Sequence, residues 1–428
     1  MGHVGYLPQV TARLDRQNPQ PGGHLGSSFT WLDYSERDRK RSLDAIDSIA
    51  EHDTRDELGL GVIRDAFSEL FFPGTTTLQT RARYFLIVPW MYLSLEGRRM
   101  PSARIDKERV WFEDSLVGSL LSSGESDGVI GKVAGARLQR KPSSIYWYGL
   151  GRWGIRRLNA TQGQYQQSLD GYYRRRRQSR NAGDEVAEQT APNWHAGLPE
   201  LPAGWPDQAS LTLRPIEGDY LAERLAVHAG DALLAYLATH GKPWQSTDFA
   251  WTHPQLAQFP SEARFQLEHA RLFSTVMHGA ALLYNLMLAE LRHNDEWGTY
   301  YQGRLDAWAQ SIEHTRDSLS SWDTPAFWRL VINAGARVSA PTQRFVSEWI
   351  RLVQRDDAAE SIADDDRARR HVGDRECRLK GSQARLTNPR SLELWGGGSG
   401  TAALDFRWGV TQRMLLDIVS ARDETKGA

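Results

Sequence analysis

Cysteine is almost missing from this chain of 428 residues: Cys377 stands alone. A single thiol forbids an intramolecular disulfide and any cysteine-rich zinc module, and it suits a reducing compartment. Lysine is scarce too, supplying 7 of the 52 basic residues. That scarcity makes the search for restriction-type nuclease signatures exhaustive, because these place an acid two residues before a lysine. Only Asp38-Arg-Lys40 and Glu424-Thr-Lys426 have the spacing, one on an expected helix and one in the C-terminal tail. No Gly-x-x-x-x-Gly-Lys-[Ser/Thr] phosphate loop occurs. His240-Gly-Lys242 has the letters of the phospholipase-D-like nuclease core, but Asp248 falls one position late and no second copy exists. Long apolar runs are missing as well. The longest, Phe85 to Met91, is interrupted by Pro89, whereas a membrane span needs ~18–20 residues. The N-terminus has no apolar core of a signal peptide. The expectation is a cytoplasmic protein with no membrane contact, no cofactor and no metal site.

What is present is a globular composition on the polar side, with 40% hydrophobic residues, 25% charged residues and a mean hydropathy of −0.54. The length implies two or three domains. Residues 1–26 read as a disordered leader and 27–180 as a helical basic module. Residues 181–215, with five prolines, read as a linker, and 216–428 as a helical domain with a Gly-rich C-terminal segment. Apolar periodicity predicts helices near 35–49, 62–71, 79–96 with a kink at Pro89, and 105–121. A short helix enters at Pro142. Further helices fall at 218–240, 261–293, 302–320, 325–335 and 342–355, with a last one from about Arg407. The 261–293 helix is apolar over much of its surface, which suits the centre of a bundle. The fold class is mainly α. Helix, turn, short helix and basic segment around 105–157 resemble a helix-turn-helix or winged-helix outline.

Charge is distributed unevenly in a chain whose net charge is only −1. Between Ile130 and Arg180 twelve cations face one acid, Asp170, for a local charge of +11. Tyr146, Trp147, Tyr148, Trp153, Tyr165, Tyr172 and Tyr173 are interleaved with them, Tyr146 and Trp153 being the better core candidates. Clustered cations neutralise phosphates and rings stack on bases, which is the footprint of nucleic-acid binding. The candidate contacts are Arg137, Arg140, Lys141, Arg152, Arg156, Arg157, Arg174, Arg175, Arg176 and Arg177, the four-arginine run foremost. The competing account is a solvated basic face, or one paired with the acidic 356–366 segment.

Two smaller constellations are weighed beside it. Asp53, Arg55, Asp56, Glu57, Arg64, Asp65, Arg81 and Arg83 suit either a divalent-ion site or a network of Arg–carboxylate pairs, with Arg64–Asp65 partly buried; the network is favoured. His269 and His278, nine residues apart, lie on opposite sides of a helix and read as core histidines.

The segments SSFTWLDYSERDR, DTRDELGLGVIRDAFSELFFPGTTTLQTRARYFLIVPWMY, PSSIYWYGLGRWGIRR and RLTNPRSLELWGGGSGTAALDFRWGVTQRMLLDI resemble a bacterial family of unknown function, over about residues 27–422. The resemblance implies a cytosolic protein of about 400 residues, often encoded in anti-phage defence islands beside helicases, methyltransferases and phospholipase-D-like proteins. It brings no catalytic residues. The expected function is therefore a non-catalytic, nucleic-acid-binding component of a multi-gene defence system, DNA favoured, with other defence-system proteins as partners. The alternatives are a metal-dependent nuclease of unrecognised type and a protein–protein scaffold.

Overall fold

Asp56 sets the start of the first helix. Its two carboxylate oxygens accept the N–H groups of Leu60 and Gly61, each at 2.6 Å, and α1 (Gly61–Phe71) grows from that cap. The computed structural model describes residues 56–181, 192–355 and 359–424. The helix expected near 35–49, the leader, Asp53 and Arg55 lie outside them. All described residues belong to one unit, Asp47–Ala428.

Every residue from Tyr84 to Tyr92 is buried in α2 (Tyr84–Gly97), with Pro89 inside the helix. A helix apolar on all sides has no solvent face, so its neighbours surround it. α3 (Ser102–Ser122) and α4 (Pro142–Arg152) pack on α2, and α5 (Gln162–Asn181) packs on α3. The sequence predicts α2 from Gln79, yet it begins at Tyr84. Side chains from far along the chain hold the turn before it: the Tyr146 hydroxyl oxygen accepts the N–H groups of Thr80 and Arg81, and an Asp417 oxygen accepts that of Ala82 at 2.9 Å.

The stretch 218–240 is two helices, α6 (Pro215–His228) and α7 (Leu233–His240). Next come α8 (Ser261–Leu291), α9 (Asp295–Ser320), α10 (Thr324–Asn333), α11 (Ala340–Val353), α12 (Asp366–Lys380), the short α13 (Pro389–Glu393) and α14 (Trp408–Asp423). α9 starts seven residues before the expected 302, because the Asn294 side chain accepts the Trp297 N–H at 2.9 Å. α8 packs on α9, α11 and α12, α14 packs on α6 and α7, and α1 touches α7 and α10. By length and composition α8 is apolar enough to cross a membrane, and 78% of that window is buried inside the fold.

Buried and half-buried ion pairs join distant parts of the chain. Arg83 meets Glu217 at 2.9 Å, Arg81 meets Asp417 at 2.9 Å, Arg385 meets Glu57 at 2.8 Å and Arg407 meets Glu69 at 2.8 Å. Arg375 donates to the carbonyl oxygen of Leu58 at 2.8 Å. Residues 192–214 are also held: Trp194 is buried, His195 N donates to Ile155 O at 2.8 Å, and Trp90 Nε1 donates to Pro199 O at 2.7 Å. The described residues contain no strand, only one antiparallel bridge between Arg156 and Trp194.

Candidate nucleic-acid interface

Polar letters outnumber apolar ones in 162–181, and the sequence reading assigned no helix there. The signal is sparse: Tyr165, Leu169 and Tyr172, spaced by four and three, make one stripe, and all three are buried. Polar contacts tie this helix to α2, α3 and α4. Gln162 donates to Ser143 Oγ and to Tyr92 Oη, both at 2.8 Å. Asp170 accepts the Ser102 N–H at 3.1 Å and the Ser102 hydroxyl at 2.5 Å, which caps the start of α3. Those two bonds, with Arg174 nearby, hold the Asp170 carboxyl below its usual range.

The four-arginine run therefore lies on a helix, and at about 100° per residue it cannot present one face. Arg174 and Arg177 fall on the side of Asp170 and Tyr173, whereas Arg175 and Arg176 project elsewhere. All four are exposed. Arg99 joins the first pair. It follows α2 in a left-handed conformation, φ 51°, while Arg99 N donates to Glu96 O at 2.9 Å and Met100 N to Leu95 O at 3.0 Å. Arg99, Asp170, Tyr173, Arg174 and Arg177 line one open depression of about 410 Å³. Arg99 lies outside the basic window and was missed; the only signal was the Arg98-Arg99 pair closing an apolar helix.

The other candidates do not converge there. Lys141 is buried and paired with Asp114. Arg156 lies over the Trp147 ring at 4.7 Å and donates to the carbonyl oxygens of Leu158 and Ala160. Both are structural cations. Arg137, Arg140, Arg152 and Arg157 are exposed, but none lines the depression. Of the interleaved rings, Tyr146, Trp147, Trp153, Tyr165 and Tyr172 are buried, Tyr173 is partly buried and only Tyr148 is exposed. Most of the rings expected to stack on bases are thus core. Trp111, 63% exposed on α3, was not singled out.

The acidic 356–366 segment engages other partners where it is described. Asp365 caps α12 through the N–H groups of Arg367 and Ala368 and pairs with Arg355 at 2.6 Å. Among the described residues no ion pair joins it to Arg174–Arg177.

The upstream acids are likewise engaged. Asp56 caps α1, and Glu57 pairs with Arg385 and Lys380. The Arg64–Asp65 pair, expected to be partly buried, is largely open at 35% and 51% side-chain exposure. α1 turns its Ile63 and Phe67 face inward and leaves these two outside. No group of three or more His, Cys, Asp or Glu arranged to hold a metal ion occurs among the described residues. His269 is buried and accepts the Trp322 indole N–H at 2.8 Å, and His278 bonds to Thr401 O at 3.0 Å, as core histidines do.

Comparison with known families gives one match, to a family of unknown function, DUF6361, over residues 26–422. The chain belongs to that family. The match covers nearly all of the sequence, including α5, Arg99 and the ion pairs that join the two ends of the fold. No curated protein and no solved structure is detectably similar.

Proposed function

We propose that this DUF6361 member is a cytoplasmic, non-catalytic nucleic-acid-binding component of a multi-gene bacterial anti-phage defence system, with DNA as the favoured ligand. The observation that carries the binding role is the outward arginine surface of α5, extended by Arg99, in a chain whose net charge is −1. A local excess of guanidinium groups on a near-neutral protein attracts a polyanion and releases its counterions. Because most nearby rings are buried, the contact falls on the phosphate backbone, with modest base preference. The helix-turn-helix reading of α3 and α4 enters with a restriction: α4 buries most of its positions and leaves Ser144, Tyr148 and Arg152 outward. The defence context and the partner proteins rest on the resemblance of the sequence segments alone.

Fluorescence anisotropy with labelled duplex and single-stranded oligonucleotides across a salt series tests the binding role. Affinity that weakens steeply with salt supports it, and no binding at low salt refutes it. Co-purification of neighbouring gene products after nuclease treatment tests the defence assembly.

A further inference from the structure

Trp111 is the one exposed tryptophan among the described residues: 63% of it is open, whereas the others are buried or half-buried. Its indole makes no hydrogen bond or ring contact among those residues. It stands on α3 in a stripe with Arg104, Lys107, Ser115, Gly118 and Ser122, spaced three and four apart, and all six positions are exposed. Side chains on a helix lean toward its N-terminus, so a long residue at 115 would lie over the indole. Ser115 instead turns its hydroxyl back to the Trp111 carbonyl oxygen at 2.9 Å, and a Cβ at Gly118 would meet nothing within 4 Å. The neighbours on the stripe leave the ring open.

A lone exposed apolar side chain is ordinary, and the charges beside this one narrow its meaning. Arg104 and Lys107 have no ion-pair partner among the described residues, and Asp106 between them is taken by Arg109 at 2.6 Å. The half-buried Glu108 is the one unpaired acid in the first two turns of α3. α5 ends beside the start of α3, since Gln166 donates to Asp106 at 3.4 Å and Asp170 accepts the Ser102 N–H at 3.1 Å. Arg98 and Arg99 are exposed at the same end, and Arg99 lines one depression with Arg174 and Arg177. The basic surface of α5 therefore continues across the junction of α2 and α3 onto the Trp111 stripe, where the ring lies about 10 Å along the axis from Arg104. A track of cations leading to an open ring is complementary to a polyanion that carries free base faces. In a duplex the base faces are covered by their neighbours, whereas the bases of a single strand can stack on an aromatic side chain. We propose that Trp111 is a base-stacking platform for single-stranded nucleic acid, with Arg104 and Lys107 holding the phosphates beside it. The assignment rests on the nucleic-acid reading above and adds a strand preference to it.

The test uses the full chain with three labelled probes of equal length: a deoxythymidine homopolymer, an abasic strand with the same backbone, and a duplex. Stacking of one base on the indole should make the deoxythymidine strand bind roughly tenfold tighter than the abasic strand. Trp111→Ala should remove that difference while the abasic and duplex affinities and the melting temperature stay unchanged, and Trp111→Phe should keep part of it. Lys107→Ala should act differently, weakening both single strands and lowering the slope of log affinity against log salt by about 0.7. An unaltered affinity of folded Trp111→Ala for the deoxythymidine strand would overturn the stacking platform and leave the nucleic-acid reading standing. No binding of any probe by the wild-type chain would overturn both. If Trp111→Ala kept its strand affinity but lost a protein that co-purifies with the wild-type chain after nuclease treatment, the face would belong to a protein partner and the assignment would be wrong.

Discussion

Replacing Glu217 by Gln probes a buried ion pair between α6 and the residue just before α2. Glu217 is fully buried near the start of α6. One oxygen accepts Arg83 Nη2 at 2.9 Å and Arg214 Nε at 2.6 Å, and the other accepts the Arg214 N–H at 2.9 Å. Arg83 is itself buried, and its Nε has no partner, so Glu217 and the Ser210 carbonyl carry its compensation. The Gln side chain keeps the volume and removes the charge, so no cavity confuses the result. Stripping a buried charge of its partner costs about 3–5 kcal/mol. At about 2 °C per kcal/mol for a chain larger than 200 residues, the melting temperature should fall by roughly 6–10 °C. Differential scanning calorimetry at a fixed scan rate measures this. The double replacement Arg83→Met, Glu217→Leu should recover most of the loss, since an apolar pair of similar volume is close to neutral. A fall of under about 2 °C for the single variant, or a double variant as unstable as the single one, would refute the reasoning.

The exposed Arg64–Asp65 pair should behave oppositely: Arg64→Ala or Asp65→Ala should cost under about 1 kcal/mol and barely move the denaturation midpoint. A large loss would mean that Asp65 acts through Arg407, 3.6 Å away. Stability should also fall with acid before the carboxylates titrate. Burial holds His253 and His278 down at about 4 against an ordinary 6.5, with Arg304 adding to the effect at His278. The unfolded chain takes up these protons first as pH drops through 6.5, so stability is whole above that value and declines toward pH 4. Guanidinium midpoints at pH 7.5 and 5.0 should show the decline, and His278→Gln should make it shallower; a flat profile would contradict the burial of these rings.

The sequence was most legible where apolar periodicity is strong. α1, α8, α10 and α11 begin and end within about two residues of the expected positions, and Tyr146 and Trp153 are core as expected. It misled where side chains from afar decide a boundary. The turn before α2 is held by Tyr146 and Asp417, which lie 66 and 335 positions from the N–H groups they accept, and no local window contains that information. α5 escaped because its buried stripe is three residues wide amid arginine and glutamine. Without the helix, Arg174–Arg177 reads as one cationic block. With it, the block divides into a pair facing Arg99 and a pair facing away. The network of Arg–carboxylate pairs was read from the right residues around Glu57, Arg81 and Arg83, but their partners, Arg385, Asp417 and Glu217, lie far downstream.

The central claim is that the α5 arginines neutralise nucleic-acid phosphates. The most direct measurement is the slope of log affinity against log salt for the wild-type chain and for the variant with Arg174, Arg175, Arg176 and Arg177 all replaced by Ala. Each lost phosphate contact lowers the slope by about 0.7–0.9. The pair facing Arg99 alone should therefore lower it by about 1.4–1.8, and all four by up to about 3.6. Because the four side chains are exposed, the melting temperature should be unchanged. An unaltered slope and affinity in a folded variant would contradict the account and return these arginines to the role of a solvated surface.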